Sequence, residues 1–491
     1  MMKRVCAVLL LGCLLCLALA GCGKTDLDKS QEYMDNHPLA EKKLYTVSFC
    51  LVSDAAIPDD LLKGMQLQFS QYTETNYNIK VEFTNVTKGE YKDWLAAEFA
   101  RVEEARNAGE GAASAASAGS IGSDIRDVYP EIAADQFDLI YIADYNMLRD
   151  LVNAGRLRDM AAELTGKDYR LIKKYMTTQF FDAATLNGRI YALPSCRVMA
   201  NYKYLRVNAE KAKAYNFEFD YNLSDYESTE ILRAGLEANG ENPADFVQQN
   251  IVGDYAKRAE LAEDGAWWVY GSEKEQRPKI NQSALFNGAL AVTSFACVDK
   301  GEDPDKTEDD FCPAVKILYE ITVNPALHTI LQYGVQDLTY SLKTVTDGDR
   351  KVTVVNKLTD TYNVDPKYTG NIFSLYPTEE EFEKGMQENN RRQNDDTIIT
   401  KDIFDVNVTV AQPKDAGCVA LPSRPFSKDN EKVTLKATPA EGYRLVNWSV
   451  TEDSKENPTT EYTETEQEIW FFSYDGFTTS IKATFEKTAE E

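Results

Sequence analysis

Apolar positions follow two regimes along this chain. Between residues 44 and 160, short continuous apolar runs alternate with stretches in which apolar residues recur every three or four positions. Leu44 to Val52 is apolar and β-rich, which predicts a core strand ending at Ser53-Asp54. A helix from about Pro58 to Tyr72 follows, because Leu61, Leu62, Met65 and Phe69 share one face and Pro58 suits a first helical turn. Lys80 to Val86 predicts a second strand, Glu90 to Ala105 a second helix and Phe137 to Ala143 a third, buried strand. Met147, Leu148, Leu151 and Val152 mark the helix after it. This β-α-β-α order predicts an α/β fold with a largely parallel sheet covered by helices. Ligands of such sheets bind beyond the carboxyl ends of the strands, which singles out Ser53-Asp54 and Asp144-Tyr145.

Elsewhere the pattern is looser. Asn107 to Ser123 is a run of small residues with no side chains able to form a core, and predicts a mobile surface loop. From about 200 to 400, helical stretches such as Pro313 to Leu331 mix with strands such as Lys351 to Val355. From about Asp405 the chain turns to short alternating strands, among them Val406 to Val410, Lys432 to Ala437 and Thr479 to Phe485, which predict a separate small β-rich domain.

The first 43 residues carry an address. Lys3 and Arg4 precede an apolar run from Val5 to Ala20 that is short for a membrane span and reads as an export signal. Leu19-Ala20-Gly21-Cys22 resembles the lipobox of bacterial lipoproteins, which implies a signal peptide over 1–21, cleavage before Cys22 and lipid on its thiol. Residues 22–43 are polar, without an apolar period, and predict a flexible tether.

Charge then narrows the partners. Formal net charge is −26, and two units more negative once Lys3 and Arg4 leave with the signal. Such a surface repels phosphate backbones, so nucleic acid is excluded as a partner. There are only two histidines, His37 in the tether and His328, which argues against histidine-based triads and multi-histidine zinc sites. Cys50, Cys196, Cys297, Cys312 and Cys418 are too scattered for a metal motif, and spacing leaves a bridge between Cys297 and Cys312 open. No cofactor or metal is expected.

Three segments, in this order and behind a lipobox, resemble the extracellular solute-binding proteins of bacterial ABC importers, in the large family (family 1) that handles sugars and related solutes. They are Asp138 to Tyr141 with Asp144-Tyr145 and Leu151 to Leu157; Asn187 to Pro194; and Leu331 to Tyr340, reinforced by Tyr368-Thr369-Gly370-Asn371. The resemblance covers about 44–400. It implies a two-lobed, periplasmic-binding-protein-like (type II) body over 44–403 that closes over a solute by hinge motion. Lobe one would hold about 44–195 and 290–345, lobe two about 200–290 and 345–400. No bond would be broken: aromatic faces would stack on sugar rings while carboxylates and amides bind hydroxyls.

For the site, the resemblance implies Ser53, Asp54, Asp144 and Tyr145 on the cleft rim of lobe one and Arg197 close to the hinge. Trp267 and Trp268, in the densest aromatic cluster of lobe two, suit ring stacking, although neighbours on a strand point to opposite faces and one of them belongs to the core. Tyr333 and Tyr376 are further aromatic candidates. The implied partners are a sugar or oligosaccharide, ABC permease subunits and the membrane through its lipid anchor, with the receptor itself monomeric.

Residues 404–491 resemble the divergent repeat modules of internalin-type surface proteins (InlB B-repeat-like). The resemblance rests on Val433 to Trp448 and the closing strand Ile481 to Phe485. Pro439 to Gly442 makes the turn, and Tyr443 and Trp448 are expected in the core, leaving the module free to extend from the body. Two rival functions remain at this point. One is a surface carbohydrate-binding or adhesive lipoprotein without a transport role. The other is a glycoside hydrolase using paired cleft carboxylates, against which stands the lack of an eightfold βα repeat.

Overall fold

The computed structural model describes residues 44–113, 137–165, 170–270, 277–294, 312–348, 350–362, 364–400, 406–410, 416–422, 431–454, 460–473 and 477–488. The signal, Cys22, the tether and Cys297 lie outside them. Strand β1 (Tyr45–Ser53) leads into α1 (Asp59–Tyr77). Asp59 and Asp60 occupy the first turn, where unpaired N–H groups favour negative charge, and Asn78 closes the helix at φ 57° by donating its N–H to Glu74 O. Leu61, Met65, Phe69 and Tyr77 are its buried stripe. Strand β2 (Ile79–Thr87) then pairs in parallel with β1, Phe49 opposite Phe83.

Helix α2 (Tyr91–Ala113) runs several residues into the expected loop. Alanine needs no packing partner to favour a helix, so a coreless stretch can still extend one; the rest of that loop lies outside the described residues. Strand β3 (Leu139–Ile142) joins β1 in parallel, α3 (Tyr145–Asn153) follows, and β4 (Leu193–Pro194) ends this part of the body.

The chain then crosses to a second body. Strand β5 (Tyr202–Asn208), α4 (Ala209–Ala214), α5 (Asp225–Ala238), β6 (Val247–Gly253) and β7 (Trp267–Tyr270) form an antiparallel sheet of order β6-β5-β7 with helices against one face. Ser224 and Glu227 cap α5 reciprocally. Leu205, Val207, Leu232, Leu236 and Val247 form its core. On the opposite face Tyr202, Tyr204 and Leu261 form a smaller cluster.

Strand β8 (Lys279–Asn281) returns to the first body, and β9 (Ala289–Val292) completes a sheet of order β2-β1-β3-β9-β4. That sheet is mixed, not largely parallel, because β9 runs antiparallel to both β3 and β4. The strand enters from the second body and not through a helical crossover, so nothing turns it round. The expected helix Pro313 to Leu331 is two: α6 (Pro313–Val323) and α7 (Pro325–Tyr333). Pro325 cannot donate its missing N–H, and the Asn324 side chain caps the new start through Ala326 N–H. After the hairpin β10 (Tyr340–Asp347) and β11 (Arg350–Lys357) come α8 (Met386–Asp396) and β12 (Ile398–Thr400), which pairs with β8.

Packing departs from the expected lobe outline in two places. Ile280, Leu285 and Phe286, and again Tyr362, Val364, Tyr368 and Phe373, belong to the first core. Their apolar side chains follow β9 and α7 into the first body. Among the described residues no helix is long and apolar enough to cross a membrane. Among the described residues Cys50, Cys196 and Cys312 are buried free thiols and Cys418 is an exposed one; Cys297 lies outside them.

The terminal region is β-rich: β13 (Val406–Val410), β14 (Gly417–Val419), β15 (Glu431–Pro439), β16 (Tyr443–Ser454), β17 (Thr460–Glu464), β18 (Glu468–Ser473) and β19 (Phe477–Lys487). They form sheets of order β13-β19-β16-β17 and β14-β15-β18. Trp448 is fully buried between them and its Nε1–H donates to Glu466 O at 2.7 Å, whereas Tyr443 packs at the edge of that core. The module is not free of the body. Asn153, at the end of α3, accepts Leu421 N–H at 2.8 Å and donates to Leu421 O at 3.2 Å, and Leu421 is buried in the first core.

Candidate functional site

One edge of the first sheet gathers several chain segments. β1, β3 and β4 point their carboxyl ends at it, delivering Ser53-Asp54, Ala143-Asp144 and Ser195 to Arg197. Because β9 is antiparallel, its amino-terminal neighbours Asn287 and Gly288 arrive at the same edge, where Gly288 N–H donates to Ile142 O and Ser195 N–H to Gly288 O at 2.8 Å. The segment Asp365 to Tyr368 covers this meeting point: Ser195 Oγ donates to Lys367 O at 2.7 Å.

The result is a tight polar and aromatic cluster. Tyr368 donates its hydroxyl to Asp54 Oδ1 at 2.9 Å and meets Tyr141 edge to face at 4.9 Å. Lys367 Nζ lies 4.5 Å over the Tyr368 ring and pairs with Asp365 Oδ2 at 2.7 Å. Arg197 Nη2 donates to Asn287 O at 2.9 Å, while Arg197 Nη1 is buried with no hydrogen-bond partner among the described residues. Asp54 is exposed.

Electrostatics follow from this packing. Burial would raise the Asp365 carboxyl, but the hydrogen bonds and charge of Lys367, with Arg197 behind them, hold it below the usual carboxylate range. Burial lowers the Arg197 guanidinium, against the opposing pull of Asp365 and Tyr141. Burial, with the Tyr368 hydroxyl nearby, pushes Tyr141 up to about 12, and burial plus the bond to Asp54 raises Tyr368. Both phenols are therefore neutral near pH 7. Two carboxylates, two cations and two neutral phenols balance in formal charge and offer donors, acceptors and ring surface together. That set can bind hydroxyl groups.

The floor beneath is built for close approach. Gly288 has φ +102°, and a Cβ there would lie 2.9 Å from Lys367 Cβ and 3.1 Å from Arg197 Nη1. His328 is fully buried, 3.1 Å from Ser374 Oγ and 3.2 Å from Thr369 Oγ1, next to Tyr368 in sequence. Burial pushes its imidazole down to about 3, so it packs as a neutral ring.

Of the residues named from sequence, Asp54 and Arg197 enter this cluster. Ser53 lies beside it but is buried, donating to Ala55 O and accepting from Asn85 Nδ2, both at 2.8 Å; it fixes the turn and does not stand on the rim. Asp144 is exposed and caps α3 through Met147 N–H at 2.9 Å. Tyr145 is not on a rim: its ring is buried and its hydroxyl contacts Pro422 O at 3.4 Å, because the terminal segment docks there. Trp267 and Trp268 lie in the second body on opposite faces. Arg206 stacks 4.3 Å over Trp267, whose Nε1–H donates to Glu263, and Trp268 packs against the core of that body. Tyr333 packs against Tyr340 under Lys357, and Tyr376 N–H reaches Thr329, which places both around α7 and the hairpin.

Sequence reasoning missed Tyr141, Ser195, Asp365, Lys367 and Tyr368 as site residues. A signal existed for the last three: Asp365-Pro366 is a helix-start pair and Gly370, at φ +112°, is a turn glycine, so they bracket a short element aimed by its ends.

The family model described as a divergent InlB B-repeat domain matches residues 406–489. Among solved structures the chain is similar to the N-glycan transport solute binding protein (NgtS) from Streptococcus pneumoniae, at 14% identity over 72% of this chain and 83% of that one, with a TM-score of 0.41. It is also similar to the ABC substrate-binding protein Lmo0181 from Listeria monocytogenes, solved in complex with cycloalternan, at 10% identity over 73% of this chain and 88% of that one, with a TM-score of 0.26. A third is an extracellular solute-binding protein family 1 from Alicyclobacillus acidocaldarius, at 12% identity over 40% and 39% of the two chains, with a TM-score of 0.23. No curated protein matches.

Proposed function

We propose that this protein is an extracellular solute receptor, held at the outer face of a bacterial membrane by lipid on Cys22, that captures a small carbohydrate and delivers it to the permease of an ABC importer. The observation that carries the reading is the charge-balanced cluster of Asp54, Tyr141, Arg197, Asp365, Lys367 and Tyr368 beside the crossing between the two bodies. A neutral polyhydroxyl solute needs donors, acceptors and ring surface in one place, without net charge.

Helix α8 supports the hinge part of the reading. Gln393 donates to Ala200 O and accepts Tyr255 N–H, Asn394 donates to Arg197 O, and Asp396 accepts from Tyr202. These polar side chains bridge both bodies at the crossing, where a pivot belongs. Tethering raises the receptor's effective concentration at a permease.

A thermal-shift screen against mono- and oligosaccharides, amino acids and peptides tests the reading. A sugar that binds only the folded state at a hundredfold over its Kd stabilises it by about 2.7 kcal/mol and raises the melting temperature. Silence across every class, or turnover of a glycan, contradicts the receptor. Cys22→Ala should release from the membrane a protein that still binds the sugar.

A second reading, polymer binding through the terminal module, is favoured by one observation. Trp470 and Phe472 stand 58% and 39% exposed side by side on β18, with Lys432 over the Trp470 ring. If deleting residues 405–491 abolishes sugar binding while the body stays folded, this reading replaces the first.

A further inference from the structure

The second body carries an aromatic groove that the cluster at the crossing does not use. Side chains alternate along β7, so Trp268 and Tyr270 share a face with their cross-strand partners Val207 and Leu205. This is the face covered by α4 and α5. Trp267 and Val269 share the other face with Tyr202 and Tyr204, which reach Asp396 of α8 and Asp254. The groove therefore opens on the side of the sheet away from the crossing helix.

Its volume is about 470 Å³, within the range of small-ligand sites. Trp268 and Tyr270 form its floor and Phe217 and Phe219 its wall. Phe219 stacks on Tyr270 at 4.3 Å and 21°, and Tyr221 closes the wall edge to face at 5.0 Å while remaining 48% exposed. The rings are thus held by one another and not by the backbone alone, and Tyr221 keeps much of its surface open to solvent.

The rim is polar: Lys213, Asn216 and Glu218 all line it. One cation and one anion cancel, and the amide supplies both a donor and an acceptor. Ring faces below with balanced hydrogen-bonding groups above match the two sides of a pyranose, its C–H face and its hydroxyl edge. A fatty acid or other anion would engage Lys213 alone and face Glu218, whereas a neutral polyol can use Lys213, Asn216 and Glu218 together.

We propose that this groove is a second carbohydrate site, which binds a short neutral oligosaccharide independently of the cluster at the crossing. The site does not rest on the transport reading, since it would stand on a polymer-binding lipoprotein equally well.

The test is a titration of the full chain with maltotriose, cellotriose, mannotriose and tri-N-acetylchitotriose, followed by calorimetry and tryptophan fluorescence. Wild type is compared with Trp268→Ala, Tyr221→Ala and Asp54→Asn. Tyr221 is half exposed, so its variant keeps the proposal testable if Trp268→Ala unfolds the second body. The expected result is that at least one trisaccharide binds, that Tyr221→Ala and Trp268→Ala weaken it about tenfold, and that Asp54→Asn leaves that event unchanged. Binding lost in Asp54→Asn and retained in Tyr221→Ala would assign the sugar to the crossing alone and overturn the second site. No binding by any of the four sugars would overturn it too. Conversely, a single binding event that is lost in Tyr221→Ala, with no second event that responds to Asp54→Asn, would count against capture at the crossing and leave this site standing.

Discussion

The cluster at the crossing and the groove in the second body are two differently built surfaces, and under the proposals above they would divide the chemistry of sugar recognition between them. At the crossing nearly every polar group is already engaged, Tyr368 with Asp54, Lys367 with Asp365 and Arg197 with Asn287, and segments far apart in sequence hold one another in place. In the groove five aromatic rings from one loop and one strand lean together, and the polar groups stay at the rim. The first arrangement is held by many contacts and would read hydroxyl positions. The second is tolerant, because any ring with a C–H face can stack.

The sharpest way to break this comparison is Gly288→Val. A β-branched residue at φ +102° is strained, and its Cβ would strike Lys367 and Arg197. The variant should lose on the order of 2–3 kcal/mol of stability and all sugar binding at the crossing. Groove binding, followed by Trp268 fluorescence, should survive.

Next in size is the pH response of the floor beneath Tyr368. The folded imidazole of His328 lies near 3, below its ordinary value of 6.5, because it is buried. Between those values the unfolded chain takes up a proton that the folded chain refuses. Stability from this residue is therefore complete above about pH 6.5 and falls as pH drops toward 3, by up to about 1.4 kcal/mol per unit. Urea midpoints at pH 7.5, 6.0 and 5.0 should converge for His328→Gln relative to wild type; an identical pH slope in both would show that the histidine does not carry the effect.

The smallest effect sharpens the contrast instead of breaking it. Tyr368→Phe removes one hydroxyl and keeps the ring, so sugar affinity at the crossing should fall by about 1 kcal/mol, or roughly fivefold. Tyr221→Phe in the groove should change affinity little, since the ring is what binds there. Equal losses at the two sites, measured by calorimetry, would mean that they do not differ in kind.

The same contrast explains what the sequence made legible. Strands β1 to β3 and helix α1 could be read because each is either a continuous apolar run or a local repeat that buries one face, and Ser53-Asp54 followed from strand direction alone. The mixed sheet could not, since the direction of β9 is set by the chain's return from the second body, far along the sequence from β4. Tyr145 was misplaced for a related reason: its partner is Pro422, in another module, and no local pattern reports it. The site residues 365–368 come from a third remote segment whose contacts exist only once the body has closed around β9. Trp268 and Tyr270, by contrast, were visible as an aromatic run, and only their face had to come from the sheet register.

The central claim, that solute is captured at the crossing, is tested most directly by one calorimetric comparison. Asp54 is exposed and can be changed to alanine without opening the core. With a sugar whose stabilisation of the protein survives Tyr221→Ala, Asp54→Ala should bind at least about tenfold more weakly while the variant stays folded. Wild-type affinity in Asp54→Ala would contradict capture at this cluster.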